Sequence, residues 1–429
     1  MAEIRPFAGV RYRVPDPDLA RVLAPPYDVI PPAYQDALYA RDPRNVVRIV
    51  LNAGGSGGTG ESPQLDERGR IDSARANDDG YAEAGATYRR WQAEGVLAPD
   101  PEPSLYLLEQ SFPLEGRPLA RVGLLARFRA EDPGTGRILP HEHTRKGPRE
   151  DRWRVLLATR ANFSPIFLMF PDAGGRFASL AATAMVLPPE STYTDDGGVA
   201  HRLWRIVDPA AVAAFAHALA APKAYIADGH HRYATALRYR DEHGPEGAWT
   251  LGYFTPLDAP GLVVLPYHRI LEQGPSLAEA RRALEGGFRL TDVAGAREAA
   301  RQAAQSTLPY AFGLAEPGAG GLVAEALPEG EKLLAAGDPP SLRALDTYFL
   351  HRAVLPKLGV DDSAVRYVHS LAEAEEAVAA RQCRLAVLMR ATPPRQIVAV
   401  AEAGESMPAK STFFHPKLPS GLVIHPLAG

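Results

Sequence analysis

"AYIADGHHRYATALRYRDEHG", residues 224–244, decides how this chain is read. Its first four residues are a short apolar run, Asp228 and Gly229 make a corner, and good helix formers follow, with apolar positions at Tyr233, Ala236 and Leu237. The pattern predicts a strand passing directly into a helix. A helix that starts there leaves several backbone N–H groups without partners, and together with the helix dipole they favour an anion. Gly229 lets backbone approach a ligand, while His230, His231 and Arg232 add side-chain donors, Arg232 as a bidentate fork for phosphate oxygens. The plainer reading makes Asp228 an N-cap and the histidines solvated first-turn residues.

The 429 residues and 46% hydrophobic content suffice for one or two packed cores. No run approaches a membrane span and the N-terminus has no signal-like regions, so a cytoplasmic location with no membrane partner is expected. Cys383 is the lone cysteine, which excludes an internal disulfide and a cysteine-cluster metal site. A net charge of −4 argues against nucleic acid as a partner. Of 47 basic residues only six are lysine, at 146, 223, 332, 357, 410 and 417. In so arginine-biased a chain, a lysine hints at a place where a compact charge fits and a guanidinium does not.

The rest of the chain alternates hairpins and isolated helices. Strands are expected in PSLYLLEQSF and RPLARVGLLARFRA around the turn PLEG, and in SPIFLMF, AHRLWRIVD, WTLGYFTPL and GLVVLPYHRI. Helices are expected at 81–97 and in REDRWRVLLATRA and AAVAAFAHAL. GGSGGTGESP (54–63) reads as an exposed flexible loop. After Gly274 alanine-rich helices at 276–286 and 295–305 alternate with short strands. The expectation is an α+β fold of mixed sheets with flanking helices: a lobe over 1–274, a second, smaller lobe over 275–405, and a segment 406–429 returning to the first.

IADGHHRYATA resembles the phosphate-binding box of the ParB and sulfiredoxin-like superfamily, which includes partition proteins, sulfiredoxin and a free serine kinase. More specifically, RPFAGVRY, APPYDVI, RANFSPIF, ADGHHRYATAL and MPAKSTFFHPKLPSGLV in this order resemble the bacterial domain-of-unknown-function family 1015. The superfamily resemblance implies a nucleotide-binding core whose box, Asp228, Gly229, His230, His231 and Arg232, holds nucleotide phosphates. Sulfiredoxin's reactive cysteine falls at His230, so thiol chemistry is not expected. No compact basic helical module follows the box, which disfavours DNA binding. The kinase is the nearest functional analogue, which implies ATP or ADP as nucleotide, Mg as metal, and serine or phosphoserine as candidate substrates.

Phosphoryl transfer needs cationic positioning and a group to orient or deprotonate the acceptor. LPHEHTRKGPREDR (139–152) supplies His141, Glu142, His143, Thr144, Arg145, Lys146, Asp151 and Arg152. Strand alternation would put His141 and His143 on one face, so the segment is not a zinc helix and no metal ligands are assigned. RANFSPIF offers Arg160, Asn162 and Ser164 at a pocket rim, or a helix end turning into a strand. Tyr27 and Asp28 follow two stiffening prolines, with Asp28 a metal or amine ligand or part of a rigid turn. Arg202 shares an apolar strand face, as a buried anion ligand or a surface residue. MPAKSTFFHPKLPSGLV is not a Walker A loop, yet its Lys410, Ser411, Thr412 and Lys417 suit phosphate. The expectation is a small-molecule phosphotransferase or phosphohydrolase. Glu142 is the general base, with His230 and Asp28 as further catalytic candidates. Tyr27, His141, Thr144, Lys146, Arg160, Asn162, Ser164 and Arg202 contact substrate, and Lys410 and Lys417 join Arg232 at one pocket. The alternative is a nucleotide-gated switch of partition-protein type.

Overall fold

A computed structural model describes residues 3–52 and 78–427, and the loop expected at 54–63 lies outside them. The chain divides into two compact units, one formed by residues 1–140, 144–263 and 416–429, the other by 141–143 and 264–415.

The first unit is built on a sheet of nine strands among the described residues. They are β1 (Ile4–Arg5), β2 (Leu105–Leu114), β3 (Arg117–Arg129), β4 (Ile138–Leu139), β5 (Ile166–Phe170), β6 (Ser191–Thr194), β7 (Ala200–Ile206), β8 (Ala224–Asp228) and β9 (Trp249–Pro256). Their order is β4-β8-β5-β9-β3-β2-β7-β6, with β1 beside β3. The sheet is mixed: β8 runs parallel to β4 and antiparallel to β5, while β5 runs parallel to β9. The helices are α1 (Asp78–Ala93), α2 (Lys146–Thr159), α3 (Arg176–Ala184), α4 (Pro209–Ala220) and α5 (His230–His243). Phe177, Phe215 and Tyr233 from α3, α4 and α5 pack on Leu107, Phe128, Leu168, Ile226 and Phe254. The run IFLMF is apolar without alternation because β5 is buried along its whole length.

The second unit has a six-stranded antiparallel sheet among the described residues. Its strands are β10 (His268–Leu271), β11 (Phe288–Val293), β12 (Ala311–Glu316), β13 (Gly320–Ala326), β14 (Val365–Val368) and β15 (Leu385–Met389), in the order β11-β13-β12-β15-β10-β14. Of its helices, α6 (Leu277–Leu284), started by a Ser276/Glu279 capping box, buries Ala280 and Leu284 in one core, while α7 (Ala296–Gln305) and α8 (Leu371–Ala379) bury Ala299 and Ala374 in another.

Three local expectations change. His141, Glu142 and His143 lie beyond the end of β4 in irregular backbone, so no strand alternation sorts them. Helix α2 begins at Lys146, which moves Asp151 out of the first turn and into a buried position. GLVVLPYHRI does not form one strand: Val263–Leu265 and β10 flank Pro266, which has no N–H for a ladder. Among the described residues no helix is long and apolar enough to cross a membrane.

Candidate anion-binding site

Strand β8 meets α5 as the sequence pattern predicts. The β8–β5 register shifts between Ile226 and Asp228, and such a bulge re-aims the side chains beside it. Gly229 follows in the left-handed region at φ 96° and serves as the N-cap without side-chain help. A Cβ there would lie 3.0 Å from the Arg232 Cζ, so the position demands glycine for conformation and for space. The Asp228 side chain does not cap the helix. It accepts from Arg232 Nη2 at 2.7 Å and from Lys417 Nζ at 3.0 Å. Burial alone would raise its pKa, but Lys417 and Arg232 outweigh burial and hold the carboxyl well below the usual range.

Lys417 arrives from nearly two hundred residues away, and buried groups fix its backbone. Arg121, fully buried on β3 with its guanidinium 4.6 Å from the Phe167 ring centroid, donates to Pro416 O and to Gln110 Oε1. Gln110 Nε2 in turn donates to Lys417 O at 2.9 Å. The same tail threads two other motifs. Ser420 N donates to Ala24 O at 2.8 Å, the hydroxyls of Ser420 and Ser164 lie 2.6 Å apart, and Gly421 N donates to Phe163 O at 2.8 Å. Four distant segments, around residues 24–28, 160–166, 228–232 and 416–421, thus converge within the first unit.

Beside the box lies an open cleft with about 510 Å³ of empty space. Tyr27, Arg152, Asn162, Ser164, Arg232, Thr235 and Thr250 line it, with apolar walls including Val50, Leu156, Phe163 and Ile166. Arg152 is 9% exposed and stacks 3.9 Å over the Tyr27 ring, while its Nε donates to Asp151 Oδ2 at 2.7 Å. Tyr81 donates to the other Asp151 oxygen at 2.9 Å. Burial opposes the Arg152 charge, yet Asp151 and Tyr27 more than compensate and its pKa rises.

Two of the five Arg232 N–H groups are engaged, Nη1 donating to Pro165 O and Nη2 to Asp228, and the buried Nε has no partner among the described residues. His231 is a neutral acceptor. Its Nε2 receives the Arg145 N–H at 3.0 Å, and burial first, then Arg145 and Arg232, push its pKa down to about 4 against the pull of Asp28. His230 is the first helical residue and is buried. Asp28 is exposed and acts electrostatically on both His231 and Tyr27.

Other candidates lie elsewhere. Arg202 is exposed and donates to Glu109 at 3.0 Å; it is not a buried anion ligand, because the face it shares with the buried Trp204 and Ile206 is open to solvent at its own position. Arg160, exposed at φ 49°, terminates α2. Thr144 is half-buried before α2 and Lys146 is exposed at its start. His141, Glu142, Lys410, Ser411 and Thr412 belong to the second unit. There the Lys410 ammonium lies 5.1 Å over the Tyr267 ring, the buried Ser411 hydroxyl donates to Pro408 O at 2.6 Å, and Thr412 Oγ1 is 3.5 Å from His141 Nε2. The site residues missed in the sequence are Thr235 and Thr250, and Arg152 was read only as one cation of the 139–152 segment. The one signal for Arg152 is a charged pair set directly against the apolar run of α2.

Fold and site together describe a mixed α/β protein with a cationic helix start beside a small cleft. The chain belongs to the family described as protein of unknown function (DUF1015), whose model matches residues 4–348. No curated protein matched the sequence. Among solved structures, similarity is found to a free serine kinase mutant in complex with AMP, at 14% identity over 66% of this chain and 88% of that chain, TM-score 0.34. A conserved hypothetical protein from Pyrococcus furiosus matches at 13% identity over 66% and 90%, TM-score 0.34. C-terminally truncated SbnI from Staphylococcus aureus matches at 10% identity over 71% and 87%, TM-score 0.37. Scores at this level do not establish a common fold.

Proposed function

We propose that the first unit is a ParB/sulfiredoxin-like core that binds a nucleotide or other phosphorylated ligand at the start of α5 and transfers a phosphoryl group to or from a small metabolite, serine or phosphoserine being the candidates. The observation that carries this reading is the corner itself: a glycine N-cap at φ 96° with the Lys417 ammonium and the free Arg232 Nε beside it. The N–H groups of His230, His231 and Arg232 have no carbonyl four residues back in the helix, so the helix start and its dipole are the primary anion ligand and the side chains are secondary. Neutral His231 spares the site a competing proton equilibrium near pH 7.

Magnesium does not fit as a protein-held group. Among the described residues no three His, Cys, Asp or Glu side chains converge, and both Asp228 oxygens are held by cations. No step is routed through a metal. In the kinase direction the acceptor oxygen bonds to the γ-phosphorus as the bond to the ADP oxygen breaks, and the acceptor proton passes to a carboxylate. Asp28, in the first unit with the helix start, is that carboxylate.

The test is calorimetric titration of the full chain with AMP, ADP and inorganic phosphate, followed by a screen of nucleotide and amino acid pairs for phosphate release or exchange. Binding that weakens at least tenfold in Lys417→Met supports the site. Absence of binding by all three ligands overturns it.

A further inference from the structure

The cleft beside the box has a chemical bias that the phosphate reading does not use. Its amide acceptor is already engaged, and its threonine hydroxyl protons are spent within the protein. Asn162 Oδ1 receives the Leu251 N–H at 3.2 Å and His425 Nδ1 at 3.1 Å, and Thr250 Oγ1 donates to it at 3.4 Å. Thr235 donates to His231 O at 2.8 Å, and Ser164 is tied to Ser420. No carboxylate lines the cleft.

What remains are donors. No protein partner among the described residues takes Arg152 Nη1, the Asn162 amide nitrogen or the Tyr27 hydroxyl, and these three residues all line the cleft. Arg152 is held rigidly for the purpose, flat on Tyr27 and braced by Asp151, which Tyr81 braces in turn. A pocket whose charged lining is two guanidiniums and no carboxylate favours a negatively charged acceptor. Among anions, a planar monoanion costs less to desolvate against Val50, Leu156, Phe163 and Ile166 than a dianion does.

We infer that this cleft takes a carboxylate of the ligand, gripped by Arg152 and the Asn162 amide. The inference deepens the proposed function and rests on it only for what occupies the neighbouring helix start. It makes Arg152 a specificity residue and defines the substrate class as small phosphorylated or phosphoryl-accepting acids.

The test uses three probes on the full chain by calorimetric titration: phosphoglycolate, ethyl phosphate, which lacks the carboxylate, and glycolate, which lacks the phosphate. Phosphoglycolate is expected to bind at least about tenfold more tightly than ethyl phosphate, the scale of one hydrogen bond to a charged group. Asn162→Asp is the informative variant: it keeps the Oδ1 acceptor and the side-chain shape and replaces the amide donor with a repelling oxygen. It should erase the preference while leaving ethyl phosphate affinity within about threefold, a range set by the scatter of surface-distant effects. Arg152→Gln should reduce the preference in the same direction. Equal binding of phosphoglycolate and ethyl phosphate, or a preference that survives Asn162→Asp, overturns the carboxylate assignment and leaves the phosphate site standing. Binding of glycolate and phosphoglycolate without ethyl phosphate supports the carboxylate assignment and overturns the phosphate site, and no binding by any probe overturns both.

Discussion

Lys417→Met removes one of the two cations on Asp228 and leaves the other, so its cost can be bounded from the geometry. Deleting one partner of a fully buried ion pair costs about 3–5 kcal/mol, because a charge is left uncompensated. Here Asp228 keeps Arg232 at 2.7 Å, and the Lys417 and Asp228 side chains are 12% and 19% exposed, which lowers the expectation to about 1.5–3 kcal/mol, the range for a hydrogen bond to a charged group. With two units in one chain, global unfolding would blur the effect, so the measurement is native-state hydrogen exchange of the segment 224–243. Exchange there should accelerate about 10- to 150-fold, while β11 to β13 of the second unit stay unchanged. In a cycle with Asp228→Asn the two substitutions should be strongly non-additive, since each removes the same contact. The sign with pH also follows. The folded Asp228 pKa is depressed, so the contribution is complete above the ordinary carboxylate range and is lost as pH falls through and below it. Additive substitutions, or an acceleration below threefold, would refute the idea that this ion pair anchors the tail to the box.

Gly229→Ala should destabilise the β8–α5 corner by about 1–2 kcal/mol for the left-handed backbone alone, with more added as Arg232 is displaced, and thermal melting should show it. Asp28→Asn should reduce turnover about 10²–10⁴-fold with little change in nucleotide affinity; if Glu142→Gln does so instead, the base is Glu142. His425, 3% exposed, has its pKa pushed down to about 3, mainly by burial and then by Arg127. The unfolded imidazole therefore takes up a proton that the folded one refuses, and stability should fall as pH drops from about 6.5 towards 3, by about 1.4 kcal/mol per unit. His425→Gln should flatten that slope in urea titrations, and an unchanged slope would remove His425 as its source.

The strand-to-helix box was legible because everything that defines it is local: an apolar run, a glycine, and a helix within a few residues. The hairpin of β2 and β3 was legible for the same reason. Arg202 kept two readings because alternation puts it on the apolar face without saying how far along the strand that face stays covered, and β7 buries Trp204 and Ile206 but leaves Arg202 exposed. The role of Arg121 was not legible, and of Arg152 only its place in a charged segment was. Arg121 bonds a carbonyl 295 positions away, and Arg152 acquires its orientation from Tyr27, far off in sequence. Such contacts leave no periodicity to read.

The scarcity of lysine was a weak signal in the sequence, and at one position the structure gives it a physical content. Asp228 already receives the flat edge of the Arg232 guanidinium, which folds back over Gly229 and onto Pro165. A second guanidinium at 417 would have to share that carboxylate within a space bounded by Arg232 and by a backbone pinned through Arg121 and Gln110. A compact ammonium on a flexible stem meets one oxygen and leaves its other protons directed elsewhere. Lys332 shows the contrast, since its pairing with Glu329 on an exposed surface imposes no such limit. Residue choice at 417 is thus set by what Arg232 has already taken, and Arg232 by what Gly229 leaves open.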